Sequence, residues 1–501
     1  MGNRGFIRSA GVVSACTLLS RVLGLARDML SSHFFGTLPV WDAFVAAFRI
    51  PNLFRRLFGE GALTAAFLPA FVERYDSDRK DEAHALLSKL ATALGLFLGL
   101  LVAAGIGITF VLPGDPKTRL MAPLLRIMLP YLAIICMAAL LGAALNGTRH
   151  YFAPAFAPAL LNLVWIGALF AFVRDINAIA WAVVVGGILE LLVMLPPLWA
   201  RKVPLRPRWD PRDPGLREVG RRFVPLAFGL APAQINELVG TLIAQYLAGA
   251  GAASVIYYGN QLTQLPLALV GTAVATAVYP LLASPKEDFR GVLKDALSLV
   301  LFVSVPATVG LIVLARPIVA LLFEHGRFGP EDTARTAWVV VLYSAGLWCY
   351  CSNQIQVRAF YARKDTLTPV KVSAVMVLAN LGLSLSLVGF LREKGIALAN
   401  SVTGLATFLT LNALLRRRHE GLDLGPVAAA FGRSLLASAL MGGAAWGAYR
   451  LMEGITPATI AGKLARVLVP VAVGVAAYFL LARLLGMREA RLLRGRRHED
   501  R

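Results

Sequence analysis

Charged side chains are scarce in this chain. Only 16% of its 501 residues are Asp, Glu, Lys or Arg, against about 25% in soluble domains. An ordinary water-soluble protein is therefore excluded, as is a disordered one. Cysteine is sparse too. Cys16, Cys136, Cys349 and Cys351 are too few for a disulfide scaffold, and each lies in an apolar stretch where a thiol serves as a small hydrophobe. The six histidines are scattered, with no metal-ligand spacing, and neither a P-loop nor a nucleophile motif occurs. Nothing calls for a metal, a cofactor or catalysis of bond cleavage.

What the chain has instead is apolar length. Hydrophobic residues make up 57% of it, with a mean hydropathy of +0.66. About 20 apolar residues cross a bilayer as a helix. Charges, prolines and glycines separate fourteen such segments, near 9–36, 41–73, 86–113, 121–147, 153–173, 178–200, 219–248, 254–283, 291–323, 334–362, 369–391, 395–415, 428–452 and 463–486. The runs are continuous rather than alternating, so helices are expected and strands are not. An all-α polytopic membrane protein with 14 transmembrane helices follows. The box Val13-Ser14-Ala15-Cys16 resembles a lipoprotein cleavage site, but the apolar run before it is shorter than a cleaved signal needs.

The charge balance of 50 Lys+Arg against 29 Asp+Glu gives +21. In a soluble domain that surplus suggests nucleic acid. Here its position says otherwise. With the N-terminus cytoplasmic, the inner stretches hold 29 Lys and Arg and the outer ones 7. Eight of the inner ones lie in 201–222, and seven more lie at the end of the last span and beyond it, from Arg483 to Arg501. That asymmetry places both termini in the cytoplasm. No nucleic-acid partner is expected.

An internal repeat divides the chain. Gly61-Ala62-Leu63-Thr64-Ala65-Ala66-Phe67-Leu68-Pro69 is echoed by Thr272-Ala273-Val274-Ala275-Thr276-Ala277-Val278-Tyr279-Pro280, 211 positions on. Arg149 to Pro154 is echoed by Lys364 to Pro369, 215 positions on. Six spans per copy is an even number, so the copies run in the same sense, as two pseudo-two-fold lobes. We expect an N-lobe over 1–200, a basic linker over 201–218 and a C-lobe over 219–418. Two extra C-terminal helices over 428–486 and a basic tail over 487–501 complete the chain.

Charges inside spans are costly and face a cavity or a partner. The first two spans concentrate them, with Arg21, Arg27, Asp28, Asp42, Arg49, Arg55, Arg56 and Glu60. On an ideal helix Asp42, Arg49, Arg56 and Glu60 fall within about 40° of one another. Arg56 and Glu60 form an i,i+4 pair, and Arg21 shares a face with Asp28. Pro51, Gly59 and Gly61 argue against strict helical geometry here. Two readings stay open. These residues form intramembrane ion pairs and snorkelling arginines, or they line a cationic cavity for an anion. Guanidinium is always charged and grips phosphate oxygens as a fork. The arginine surplus favours an anion over a cationic drug.

Several of these motifs resemble one family. Ser20-Arg21-Val22-Leu23-Gly24-Leu25-Ala26-Arg27-Asp28 is similar to its first-span signature. Asp42-Ala43-Phe44, Arg49-Ile50-Pro51-Asn52-Leu53-Phe54-Arg55-Arg56 and Glu60-Gly61-Ala62 are similar to its second-span signature. Pro154-Ala155-Phe156-Ala157-Pro158 and Thr368-Pro369-Val370-Lys371 are similar to later motifs. The family is the MurJ (MviN-type) lipid II flippases of the multidrug/oligosaccharidyl-lipid/polysaccharide exporter superfamily, and the resemblance runs along essentially the whole chain.

That resemblance implies transport rather than catalysis. Lipid II, the undecaprenyl-pyrophosphoryl disaccharide-pentapeptide, would be carried across the bacterial inner membrane by alternating access, its tail in a groove of spans 13 and 14. Membrane lipids and peptidoglycan synthesis enzymes are the implied partners. Arg21, Arg27 and Arg55 are the implied substrate-binding residues, with Arg49 and Asn52 beside them. Asp28, Asp42, Glu60 and Arg56 would gate or balance charge. Asn260, Gln261 and Glu237 would line the C-lobe side of the cavity. Gln261 stands where many members have arginine, and only Asn380 of Gly240, Asn380 and Ser384 fits a sodium pattern found in some, so no sodium site is expected. Glu237 is a substitute carboxylate or a residue that pairs near the lobe mouth. An exporter of another undecaprenyl-linked glycan, a drug/cation antiporter and a non-transporting membrane scaffold are the competing classes.

Overall fold

The computed structural model describes residues 3–59, 61–418, 423–457 and 459–492. Glu60 and the tail beyond residue 492 lie outside them. The regular structure of the described residues is all helical, with no strand among them. Residue contacts divide the chain into two units, Met1–Tyr246 and Leu247–Arg501.

The first unit contains α1 (Asn3–Phe35), α2 (Pro39–Phe54), α3 (Ala62–Asp76), α4 (Lys80–Val111), α5 (Pro116–Gly147), α6 (Phe152–Ala171), α7 (Ile176–Leu192), the short α8 (Leu195–Ala200) and α9 (Pro214–Leu247). Between α2 and α3 the chain widens into a π-turn, Arg55–Gly59. α1 packs on α6, and α2 on α5. The core between them is aromatic. Trp41, Phe44 and Trp165 are fully buried, with Trp41 stacked on Phe44 at 4.9 Å and Trp165 edge-on to Phe44 at 5.2 Å.

The second unit contains α10 (Ala252–Pro266), α11 (Ala273–Ala283), α12 (Phe289–Val313), α13 (Ala315–Leu322), α14 (Pro330–Ala345), α15 (Leu347–Ala362), α16 (Leu367–Leu391), α17 (Glu393–Arg418), α18 (Gly425–Ile455), α19 (Ile460–Leu484) and α20 (Glu489–Leu492). A π-turn, Leu267–Thr272, joins α10 to α11. α18 and α19 pack on each other and α18 on α12, where the Tyr478 hydroxyl donates to the Phe302 carbonyl at 2.6 Å. Their other faces present Leu435, Leu436, Leu440, Leu468 and Leu480 outward, as lipid-facing helices do.

The repeat read from the sequence has a backbone counterpart. Each unit carries a π-turn at the start of its copy of the repeated motif, Arg55–Gly59 in one and Leu267–Thr272 in the other. Arg149 and Lys364, the first residues of the second echo, both adopt left-handed backbone, with φ of 63° and 60°. Each is followed by the same helix-ending bond, His150 N–H to the Leu145 carbonyl and Asp365 N–H to the Phe360 carbonyl.

Among the described residues, eleven helices are long and apolar enough to cross a membrane. The described parts of all fourteen expected segments are largely helical. Two segments outside that set are interrupted: the π-turn divides 41–73 and Gly346 divides 334–362 into helices of 15 or 16 residues. The segment 9–36 lies in α1.

Residues 203–213 of the expected linker form an extended strap lying on α4, and 214–218 already belong to α9. Arg206 and Arg208 donate backbone N–H groups to the Ser88 and Thr92 hydroxyls, and the Lys89 ammonium holds both Asp210, at 2.9 Å, and Asp213. Partial burial of Asp213 opposes its ionisation, yet the Lys89 hydrogen bond prevails and keeps its carboxyl below the usual range. Beyond the strap, α9 is tied to the first unit along its length. Glu218 meets Arg74 at 3.2 Å near the start, and Lys117 caps the far end by donating to the Gln245 carbonyl at 2.7 Å. The seventh segment, expected to open the C-lobe, thus groups with the first unit up to Tyr246.

Candidate functional site

The charged residues of α1 and α2 are held in three distinct ways. Arg27 is anchored. Its Nη2 donates to Asp28 at 2.8 Å, its Nη1 to Asn162 of α6 at 3.1 Å, and its guanidinium lies over the Trp165 ring at 4.6 Å. Asn162 is fixed in turn, donating to the Ser20 and Pro158 carbonyls at 3.1 and 3.2 Å. A stacked, forked arginine of this kind is pre-organised, so a ligand meets it with little entropy left to lose. Arg21 stands apart. It is exposed and makes no ion pair among the described residues, whereas Asp28, expected to share its face, is buried against Arg27.

The second group gathers at the π-turn. Arg49 of α2 and Arg56 of the π-turn both bind Glu237 of α9. Arg49 Nη1 takes one carboxylate oxygen, and Arg56 Nη1 the other at 2.7 Å. Gln234 accepts a longer bond from Arg56 at 3.4 Å. Arg49 and Arg56 do share the predicted stripe, and the carboxylate they share comes from α9, 181 positions from Arg56. The pairing expected between Arg56 and Glu60 involves a residue outside the described set. Gly61 lets α9 approach, because a Cβ there would come within 2.5 Å of Leu230 Cδ1. Two turns further along α9, Glu237 then falls at the arginines.

Arg55 points away from that clasp, as the spacing predicted, and donates through Nε to Asn52 at 2.9 Å. Neighbouring residues on a helix lie about 100° apart, which puts Arg55 and Arg56 on separate faces. Asp42, on the same side as Arg49 in the sequence pattern, is buried in the first turn of α2. In the second unit Asn260 and Gln261 lie near the end of α10. Gln261 is exposed, and Asn260 accepts from Gln264 at 3.4 Å. Asn380, in α16, is buried and donates to Thr403 at 3.1 Å. Among the described residues no cluster of three His, Cys, Asp or Glu side chains is arranged to hold a metal.

Sequence reasoning missed Asn162 and Trp165, which set Arg27, and Gln234, which attends Arg56. Asn162 left one trace, as the lone amide within an otherwise apolar stretch from Pro158 to Ala168.

Two repeated helical units, apolar spans and arginines carried inside the first unit together define a polytopic membrane transporter. The comparisons make this specific. The family model described as lipid II flippase MurJ matches residues 31–467. The chain therefore belongs to the MurJ family. It is 32% identical over 442 residues to a Vibrio cholerae protein named probable lipid II flippase MurJ, covering 83% of each chain. It is 34% identical over 434 residues to the Burkholderia cenocepacia lipid II flippase MurJ, covering 82% of this chain and 84% of that one. A solved lipid II flippase MurJ in an inward closed conformation superposes with a TM-score of 0.80 at 25% identity, over 94% of this chain and 99% of that one. An inward-facing multidrug transporter of the MATE family shares the fold, at a TM-score of 0.63 and 15% identity over 82% of this chain and 98% of that one.

Proposed function

We propose that the protein carries lipid II from the cytoplasmic to the outer leaflet of the bacterial inner membrane, both termini lying in the cytoplasm. Family membership supports the substrate. The observation that carries the chemistry is the pair of arginine arrangements in the first unit, Arg27 on Trp165 and Asn162, and Arg49 with Arg56 on Glu237. Arginine excess inside low dielectric favours a diphosphate over a cationic drug. Arg21, Arg27 and Arg55 would meet the diphosphate and sugars, with Arg49 and Asn52 beside them. Asp28, Asp42, Glu60 and Arg56 would balance charge between states.

Fourteen crossings, with two lobes alternating access, complete the reading. The undecaprenyl tail would stay in lipid along α18 and α19, whose outward leucines suit it. No covalent bond changes, so this is transport. Charge moving through the membrane potential would supply about 2.3 kcal/mol per charge per 100 mV.

The test is depletion and rescue in a cell that needs a flippase. Depletion should leave lipid II in the cytoplasmic leaflet, and the wild-type chain should restore it to the outer one. Arg27→Ala and Arg55→Ala should insert normally and fail to rescue. Normal growth of both variants would overturn the arginine site, and unchanged lipid II distribution on depletion would overturn the substrate.

A further inference from the structure

The bond pattern around Glu237 resembles that of a ligand in a site. One carboxylate divides its two oxygens between two guanidiniums, Arg49 at the back and Arg56 at the front. Two oxygens of a phosphate group would use the same donors in the same way. The clasp also has an open side. Side-chain exposure rises from 9% at Arg49 to 20% at Glu237 and 31% at Arg56, so an anion reaches Arg56 first and Glu237 can withdraw towards water. Gln234, one turn before Glu237, gives Arg56 a neutral acceptor during such an exchange.

α9 is suited to release its carboxylate. Its polar anchors are spaced along it, at Glu218, Glu237 and the Gln245 carbonyl, with one ring contact, Phe223 on Phe58 at 5.1 Å, between the first two. Pro225 and Pro232 interrupt its hydrogen-bond ladder just ahead of Glu237.

We propose that Glu237 is an internal counter-anion, displaced from Arg49 and Arg56 by the diphosphate of the substrate, and that it makes the site select multiply charged headgroups. This rests on the anionic-lipid reading above. A singly charged head exchanges one anion for another and gains nothing. A diphosphate brings more charge and more acceptor oxygens than the carboxylate it replaces, so the exchange runs in its favour. Weak anions are refused by a competitor built into the chain.

The full-length protein in neutral detergent is titrated with farnesyl diphosphate and farnesyl monophosphate at one ionic strength. Glu237→Gln should bind both at least tenfold more tightly than wild type. The gain should be larger for the monophosphate, so that the preference for diphosphate falls several-fold. Glu237→Asp, which keeps a shortened carboxylate, should fall between the two. Adding Arg49→Gln to Glu237→Gln should return diphosphate affinity to the wild-type level or below. Unchanged or weaker binding by Glu237→Gln and Glu237→Asp, with Arg27→Ala still impairing binding, would overturn the counter-anion role and leave the anionic site standing. Failure of every monodisperse version, wild type included, to bind either probe would overturn the anionic-lipid reading and this inference with it.

Discussion

Arg27 shows what the side chain at this position must be. Its guanidinium reaches a carboxylate, an amide oxygen and an indole face at once, and a lysine ammonium cannot match that planar fork. Arg27→Lys should therefore fail to rescue flippase-depleted cells nearly as completely as Arg27→Ala, while reaching the membrane in normal amounts. Trp165→Leu removes the ring under Arg27 and opens an aromatic core. It should lower stability by about 3 kcal/mol, read as an earlier thermal unfolding midpoint, and weaken rescue without abolishing it. Arg27 itself was legible in the sequence, because a charge inside an apolar span is conspicuous. Its partners were not. Asn162 is 135 positions away, and no periodicity along one helix reports what the next helix presents. Glu237 was visible as a carboxylate in a span, but its two arginines lie across a tertiary contact.

At the scale of the element, proline and glycine placement announced a break near residue 55 without revealing its kind. Pro51, Gly59 and Gly61 were read as departures from ideal helix, and the chain answers with a π-turn. Gly61→Ala puts a methyl against the far end of the exposed Leu230 side chain, which must turn aside. A cost of about 1 kcal/mol or less is expected, seen as a slightly lower unfolding midpoint that Leu230→Ala restores. The left-handed residues Arg149 and Lys364 make the opposite prediction. A side chain in that conformation costs about 1 kcal/mol relative to glycine, so Arg149→Gly or Lys364→Gly should raise the midpoint slightly. The strap over 204–213 depends on charge. Asp213 ionises more readily in the folded chain than in the unfolded one, so its contribution is complete above the ordinary Asp range near pH 4 and is lost as pH falls below it. Limited proteolysis should cut the strap faster at pH 3 than at pH 7, and Lys89→Gln should cause the same opening at pH 7.

Across the whole molecule the charge of +21 resolves into populations with different work. Most of the surplus lies in the strap, the short loops between helices and the tail, where it was legible by simple counting. A few arginines within α1, α2 and the π-turn hardly change the total. The all-helical membrane class was readable from apolar length, and the breaks inside 41–73 and 334–362 were not. The grouping of α9 was not. Counting spans by sixes assigned it to the second lobe, whereas Arg74, Arg49, Arg56 and Lys117 bind it to the first unit. Hydrophobic pattern marks where a helix runs, and the contacts it makes, polar and aromatic, decide which neighbour keeps it.

The two π-turns also differ in what they offer an anion. A π-turn arises when a helix accommodates one residue more than its regular winding allows. The chain carries one beside each repeated motif, at 55–59 and 267–272. The first holds Arg55 and Arg56, and the second only apolar or small residues, Leu267 to Thr272. The same backbone irregularity thus presents cations in one unit and neutral side chains in the other.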